Sequence, residues 1–418
     1  MIKRQIFDKV KKHLEQKEIS LIVGPRQTGK TTLMRALKEE LDRVQERTLF
    51  LSMDIEPDRQ FFSSQQTLLQ KIQLEIGKER GYVFLDEIQR KEDAGIFLKG
   101  LYDMDLPYKF IVSGSGSLEL KEKIHESLAG RKRIFELYPL SFQEFVNFRT
   151  DYRYGHKLHD FFRVESERTK ALFDEHLRFG GYPRVVLAQS IEEKQLEIRD
   201  IYQAYLERDI YHLLGVEKEE AFTHLVRIIA SQIGNLINVS ELSSALGISV
   251  KTVKQYLWYL EKTFIVHKVT PYYKNARKEL TKSSMYYFVD AGLRNYSLGE
   301  FTTFSTSSPT LGFVFQNFVF NALREKLLLP SFHLHFWRTK DRAEVDFVID
   351  KAVETIPLEV KYKDFKKPEL DRSFKSFLSK YAPKRAYVVN LTLEEEITIG
   401  KTKVAFIPFH KLLFISFD

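Results

Sequence analysis

The strongest constraint on this chain is the run Gly24-Pro25-Arg26-Gln27-Thr28-Gly29-Lys30-Thr31, which follows an apolar stretch at 19–23 and precedes a helical pattern from 32 to about 41. Strand, glycine-bounded loop and helix in that order, with the spacing G-x-x-x-x-G-K-T, is the form of a phosphate-binding loop. The glycines let backbone N–H groups turn inward onto a phosphate chain, and the helix N-terminus adds donors and the positive end of its dipole. In such a loop Lys30 reaches the β- and γ-phosphates, the Thr31 hydroxyl is placed for Mg²⁺, and Thr32 continues the cradle. At average glycine usage the pattern arises by accident on the order of once in a hundred chains of this length.

A phosphate loop requires a second strand ending in a carboxylate that holds the magnesium. Gly81-Tyr-Val-Phe-Leu-Asp86-Glu87 supplies it: Asp86 serves the metal, and Glu87 is placed to polarise an attacking water as general base. Further strands are expected at 48–53, 108–113 and 133–138, with helices near 64–79 and 94–104. Together they make an open α/β fold around a parallel P-loop sheet. The strand at 108–113 runs into Ser113-Gly-Ser115-Gly-Ser117. There Ser113 either senses the γ-phosphate from between the two motif strands or belongs to a turn that caps the next helix. Arg131 and Arg133 open the last strand. Each is a candidate arginine finger, in cis or across a subunit boundary, and each could equally be a surface salt bridge.

These residues carry a resemblance. The loop, the segment Val83-Phe-Leu-Asp-Glu-Ile-Gln-Arg90, the turn at 113–117 and Leu128-Ala-Gly-Arg131 with Leu137-Tyr-Pro-Leu-Ser-Phe-Gln-Glu-Phe145 resemble a group of AAA-superfamily ATPases of bacteria and archaea. Members typically carry a C-terminal domain of unknown function. The likeness continues through Phe179-Gly180-Gly181-Tyr182-Pro183 and the Tyr-Leu-Glu-Arg-Asp-Ile run at 205–210. It implies ATP binding and hydrolysis with Mg²⁺ and supplies no defined biological task.

From about 165 to 236 the apolar spacing is helical, as in a lid or connector beside a nucleotide. Two short helices follow, the first capped by Ser240 and running to about 246, the second capped by Ser249 and running to about 260, with a turn at Gly247. With strands expected at 264–269 and 284–289, this is the sequence form of a winged helix. Lys251, Lys254 and Gln255 fall on the exposed face of the second helix, and Lys274, Arg277 and Lys278 fall in the wing on DNA phosphates, with no bidentate base reader evident beyond Gln255. The competing reading makes the module a protein-docking surface.

Residues 312–327 read as an amphipathic helix. Beyond it, two short strands fold about a turn at 351–354. Antiparallel pairing sets Asp346 opposite Glu359 and Glu344 opposite Lys361, all four on one face. Two facing carboxylates can share a Mg²⁺ while a lysine orients water. The spacing Asp346…Glu359-Val-Lys361 is similar to the PD-(D/E)xK nuclease superfamily, a fold attributed to the C-terminus of the group above. Where such nucleases usually carry a helix glutamate, this chain has Gln316, which adds no charge to hold a metal. The plain alternative is a solvated hairpin face with a Glu344–Lys361 cross-strand pair.

Composition narrows the remaining classes. With no cysteine among 418 residues there is no disulfide scaffold, cysteine zinc site, iron–sulfur cluster or thiol catalysis. No apolar run approaches 18 residues and the first residues lack a secretory pattern, so a cytoplasmic protein with no membrane partner is expected. The net charge of +8 is uneven: residues 251–282 hold eight basic against two acidic side chains, and residues 361–385 nine against three. Local stripes of this kind are candidate nucleic-acid footprints or solvated faces. The expected organisation is an ATPase core at 1–150, a helical connector at 151–236, a winged helix at 237–300 and a nuclease-like domain at 301–418. The leading expectation is an ATP- and Mg²⁺-dependent ATPase engaging DNA, with oligomerisation open. The rivals are a signalling ATPase whose C-terminal domains bind protein partners and an ATP-gated, metal-dependent nuclease.

Overall fold

The computed structural model describes residues 2–115, 128–212, 216, 218–273, 283–301, 309–327, 332–351 and 353–417. Gly116, Ser117, Lys274, Arg277 and Lys278 lie outside the described residues. The chain divides into two compact units, the first made of residues 1–140, 182–217 and 258–265, the second of 141–181, 218–257 and 266–418.

The first unit is built on five parallel strands, β1 (Ile19–Gly24), β2 (Thr48–Ser52), β3 (Gly81–Asp86), β4 (Tyr108–Ser115) and β5 (Lys132–Glu136), in the order β2-β3-β4-β1-β5. All six residues of β1 and of β3 are buried, as a parallel sheet covered on both faces requires. The pleat sends Leu21 and Val23 to one core with Leu85, Val112, Leu68 and Leu98, and Ile22 to the other with Phe84, Ile111, Leu33 and Leu37. The helix Lys30–Arg43 supplies the last two. This is a P-loop, AAA-type α/β core, and β4 lies between the two strands that carry the motifs. Residues 182–217 add the helices Pro183–Leu187 and Ile191–Ala204 and a π-helix at Tyr205–His212, where the Tyr205 hydroxyl meets Thr263 Oγ1 at 3.0 Å.

The second unit holds a mixed sheet of eight strands. They are β6 (Val266–Pro271), β7 (Met285–Phe288), β8 (His333–Arg338), β9 (Glu344–Asp350), β10 (Thr355–Val360), β11 (Arg385–Asn390), β12 (Glu395–Ile399) and β13 (Thr402–Pro408), in the order β12-β13-β11-β10-β9-β8-β6-β7. The helices Val239–Leu246 and Val250–Lys262 precede it. The first is capped two residues earlier than Ser240: Asn238 Oδ1 accepts from the N–H groups of Ser240 and Glu241. Ser249 caps the second through the N–H of Thr252 at 3.1 Å. The hairpin β6–β7 is antiparallel, and β6 also pairs in parallel with β8, so a cut at residue 300 passes through one continuous sheet.

Phenylalanines build much of this unit's interior. Phe142, Phe173, Phe318 and Phe409 stack or meet edge-on with centroids 4.0–6.1 Å apart. Elsewhere the carboxylate of Asp290 is fully enclosed and accepts N–H bonds from Gly181 (2.7 Å) and Leu293 (3.1 Å). Gly180 lies so close that a Cβ on it would stand 2.2 Å from Asp290 Oδ1, at a φ of +73° that only glycine adopts freely.

Candidate nucleotide site

The loop closes on itself. Lys30 is buried, and its Nζ donates to the carbonyls of Gly24 (3.1 Å) and Pro25 (2.8 Å), while Thr28 Oγ1 donates to Pro25 O at 2.9 Å. Arg26, Gln27 and Gly29 are half-buried along the loop and Thr32 is exposed on the first helical turn. Gly24 permits a close approach no other residue could make: a Cβ there would lie 2.1 Å from Leu137 O, just beyond β5. Arg4 then straps the loop to that segment, donating to Thr28 O at 2.9 Å and Tyr138 O at 2.6 Å.

The acid pole sits at the ends of β2, β3 and β4. Asp86 is 3% exposed and gathers three hydroxyls: Thr31 Oγ1 at 3.0 and 3.2 Å, Ser52 Oγ at 3.4 Å, and Ser113 Oγ, which donates to Oδ1. Ser113 Oγ also accepts the N–H of Glu87 at 3.1 Å. Glu87 is a non-glycine residue in the left-handed region (φ 55°), and its carboxylate accepts from Gln89 Nε2. One carboxylate and three hydroxyls converging beside a phosphate loop form an oxygen donor set that fits Mg²⁺, with Thr31 and Asp86 as its holders. Glu87, Ser113, Asp86, Thr31 and Lys30 are thus brought to one end of the sheet.

Arg131 and Arg133 are not brought there. The register pairs Ile19 with Lys132 and Ser20 with Arg133, at the start of β1, whereas the phosphate loop leaves its end. Six residues of strand separate the two ends by roughly 16 Å at the usual strand rise. Arg131 instead makes a forked pair with Asp103 (2.7 and 3.4 Å). A finger acting in cis on the loop of its own chain therefore does not follow from this strand order. A different cation stands by the loop: Arg184 Nη1 is 3.4 Å from Gln27 Oε1, and its Nε pairs with Glu197 at 2.8 Å. Sequence reasoning missed Arg184, Ser52 and Gln89. The first two reach the site across 157 and 34 residues, and Gln89 lies within the segment 83–90 with no spacing rule to mark it.

The second unit carries the carboxylate pair. The ladder joins Leu358 to Phe347, so its continuation sets Glu359 beside Asp346. Asp346 accepts from Gln316 Nε2 (2.9 Å) on Oδ1 and from the N–H of Val360 (2.7 Å) on Oδ2. Lys361 Nζ bridges Glu359 Oε1 (2.9 Å) and Asp371 (2.7 Å). Glu344 pairs with Arg338 at 3.0 Å. Burial and the neighbouring Asp346 charge push the Glu359 carboxyl well above the usual carboxylate range, and burial raises Asp346 too. Glu359 Oε2 is buried with no hydrogen-bond partner. Both oxygens of Asp346 are already engaged, and among the described residues no group of three or more His, Cys, Asp or Glu is arranged to hold a metal. The pair is held by Gln316, the Val360 N–H and Lys361.

Around it the basic window resolves into two classes. Lys361, Lys363 and Arg385 are engaged with acids, whereas Lys366, Lys367, Arg372, Lys375 and Lys384 are exposed, as are Lys251, Lys254 and Gln255 on the helix Val250–Lys262. Among the described residues no helix is long and apolar enough to cross a membrane.

Residues 16–146 match the family profile described as AAA domain, and residues 170–303 and 311–412 match two profiles each described as a domain of unknown function (DUF8612 and DUF4143). The chain is similar to uncharacterized proteins of Haemophilus influenzae (26% identical, covering 82% of each chain) and of Mycobacterium tuberculosis (28%, covering 90% of this chain and 77% of the relative). A further relative is an uncharacterized protein of Methanocaldococcus jannaschii (26%, 79% and 72%). Among solved structures, it is similar to Cdc6p from Pyrobaculum aerophilum (TM-score 0.29, 12% identical, 71% of this chain and 91% of that one). It is also similar to a replication initiator DnaA bound to AMPPCP and single-stranded DNA (0.29, 18%, 63% and 90%). The AAA-domain match falls on the five-stranded sheet and its phosphate loop, and together they support a P-loop ATPase of AAA type in the first unit.

Proposed function

We propose that the first unit binds ATP with Mg²⁺ and hydrolyses it, and that the second unit engages DNA. The observation that carries the first half is the convergence of Thr31, Ser52 and Ser113 on the buried Asp86 beside Lys30. Mg²⁺ held by Thr31 and Asp86 would neutralise charge on the β- and γ-phosphates. Lys30 gives up the Gly24 and Pro25 carbonyls for phosphate oxygens, and the loop N–H groups from Arg26 to Thr32 cradle the chain. Glu87 takes the proton of the attacking water. Ser113 ties the Glu87 backbone to Asp86, so base and metal ligand move as one piece. Arg184 adds positive charge beside the loop. An arginine finger, if the reaction uses Arg131 or Arg133, has to come from a second copy, which makes the active form an oligomer.

Lys30→Ala should abolish tight nucleotide binding. Glu87→Gln should keep binding and stop hydrolysis; normal turnover in that variant would remove Glu87 as the base.

The DNA half rests on two exposed basic sets in the second unit, the helix face of Lys251 and Lys254, read as part of a winged helix, and the Lys366–Lys384 region. Its test is ATP turnover and salt-dependent binding with saturating duplex and single-stranded DNA. An unchanged rate and no salt-dependent binding would favour the rival, a cytoplasmic signalling ATPase whose second unit docks a protein. The proposed nucleic-acid contact rests on those exposed basic residues, and no cleavage step is derived from the Asp346–Glu359 pair.

A further inference from the structure

We infer that Gln89 is the positioning residue of the hydrolytic site, holding the Glu87 carboxylate in its working orientation. The inference rests on the reading of Glu87 as the general base. Three contacts fix the Glu87 backbone in its left-handed conformation. Its N–H is on Ser113 Oγ (3.1 Å), its carbonyl accepts from Arg90 N (3.1 Å), and the next residue, Ile88, is fully buried in the core. A left-handed non-glycine residue is uncommon, and such strain concentrates at sites where geometry matters. With the backbone held, the side chain keeps only its own torsions, and the Gln89 amide removes that freedom by donating to Glu87 Oε2.

The orientation of that amide is not ambiguous, because an ionised carboxylate only accepts, so nitrogen must face it. The consequence is that Gln89 Oε1 is turned into the protein with no hydrogen-bond partner. A buried carbonyl left unpaired is unfavourable, so the side chain's own contacts do not account for its place; its service to Glu87 does. The turn is further anchored by an ion pair of Arg90 with Asp54 at the exit of β2, the strand beside β3. Gln89 therefore belongs to a short rigid turn whose one aimed polar group points at the base.

The test uses the full chain with Mg-ATP for steady-state turnover and AMPPCP for equilibrium binding. Gln89→Ala should lower kcat roughly ten- to a hundredfold, the scale of a misplaced catalytic group, with KM and AMPPCP affinity held within about twofold. Gln89→Glu should lower it further, since a second carboxylate repels Glu87. Gln89→Asn keeps the amide one methylene short; normal AMPPCP binding with reduced kcat in this variant supports positioning even if the alanine form folds poorly. Wild-type kcat in Gln89→Ala or Gln89→Asn, with Glu87→Gln inactive, overturns the role of Gln89 and leaves Glu87 as base. Normal turnover in Glu87→Gln overturns the underlying reading instead.

Discussion

Ser113 Oγ donates to Asp86 Oδ1 and, through the same oxygen, accepts the N–H of Glu87 at 3.1 Å. One hydroxyl on the central strand thus links the acid that ends β3 to the acid that follows it. Removing it leaves the Glu87 N–H without its acceptor, a cost of about 1–3 kcal/mol, and leaves Asp86 Oδ1 with only the longer bond from Thr31 Oγ1. Ser113→Ala should reduce kcat by at least about tenfold while nucleotide affinity changes little, and Ser113→Thr, which keeps the hydroxyl, should recover most of the rate. Parallel turnover and AMPPCP titrations check this, and equal kcat in wild type and Ser113→Ala would refute it.

Asp290 makes stability depend on pH. Burial raises its pKa from 3.8 to about 6, against the pull of the Gly181, Leu293 and Gly292 N–H groups. A carboxyl whose folded pKa is raised binds its proton more tightly when folded. Its contribution is therefore complete below about 3.8 and lost as pH rises through about 6. The loss is about 3 kcal/mol at most for a shift of this size. Asp290→Asn does not titrate, and its amide faces at least one N–H, so it should be less stable than wild type at pH 4.5. Urea midpoints measured from pH 4.5 to 7.5 should show that gap narrowing as pH rises; a constant gap would mean that Asp290 is not the titrating group.

How much of this was legible in the sequence follows from where each contact originates. A parallel strand buried on both faces is an unbroken apolar run, so β1 and β3 could be read directly, and the loop between strand and helix is local chemistry. The Asp346–Glu359 register was readable for a related reason, since a short hairpin turn fixes pairing by counting. Strand order is not local. Arg131 looked like a finger because it stands just before β5, and only the position of β5 alongside β1 reveals that this is the far end of the sheet. Asn238 displaced Ser240 as a cap because both side chains suit the position and only backbone angles decide. Ser52 and Arg184 stand beside residues distant in the chain, and no spacing rule marks them.

Gln316→Glu should turn the carboxylate pair into a cation site. The amide now donates to Asp346 Oδ1, and glutamate has nearly the same shape, so the change replaces a donor by a charged acceptor at fixed geometry. Without metal the third carboxylate should lower the melting temperature. With Mn²⁺ the melting temperature should recover, and Mn²⁺ affinity at this site should rise at least about tenfold in an Asp86→Ala background that silences the nucleotide site. Adding Glu359→Ala should cancel the gain. Strong Mn²⁺ binding in the Asp86→Ala chain before any change at Gln316 would show that the donor set already takes a cation.

The basic surfaces predict how DNA affinity should respond to salt. Each phosphate neutralised by a lysine contributes about 0.9 to the slope of log K against log salt for duplex DNA. Lys251 and Lys254 are exposed on one helix, and Lys366 and Lys367 are exposed beyond β10. If both surfaces touch the backbone, each double alanine variant should reduce the slope by about two and weaken binding on all sequences alike, because phosphate contacts carry no sequence information. Lys363 is already paired with Glu369 at 3.2 Å, so Lys363→Ala should alter the slope less than either exposed lysine. Titrations of the three variants and the wild type between low and physiological salt measure this directly. A pair whose removal leaves the slope unchanged lies outside the contact, and an unchanged slope for both pairs would place DNA elsewhere on the protein.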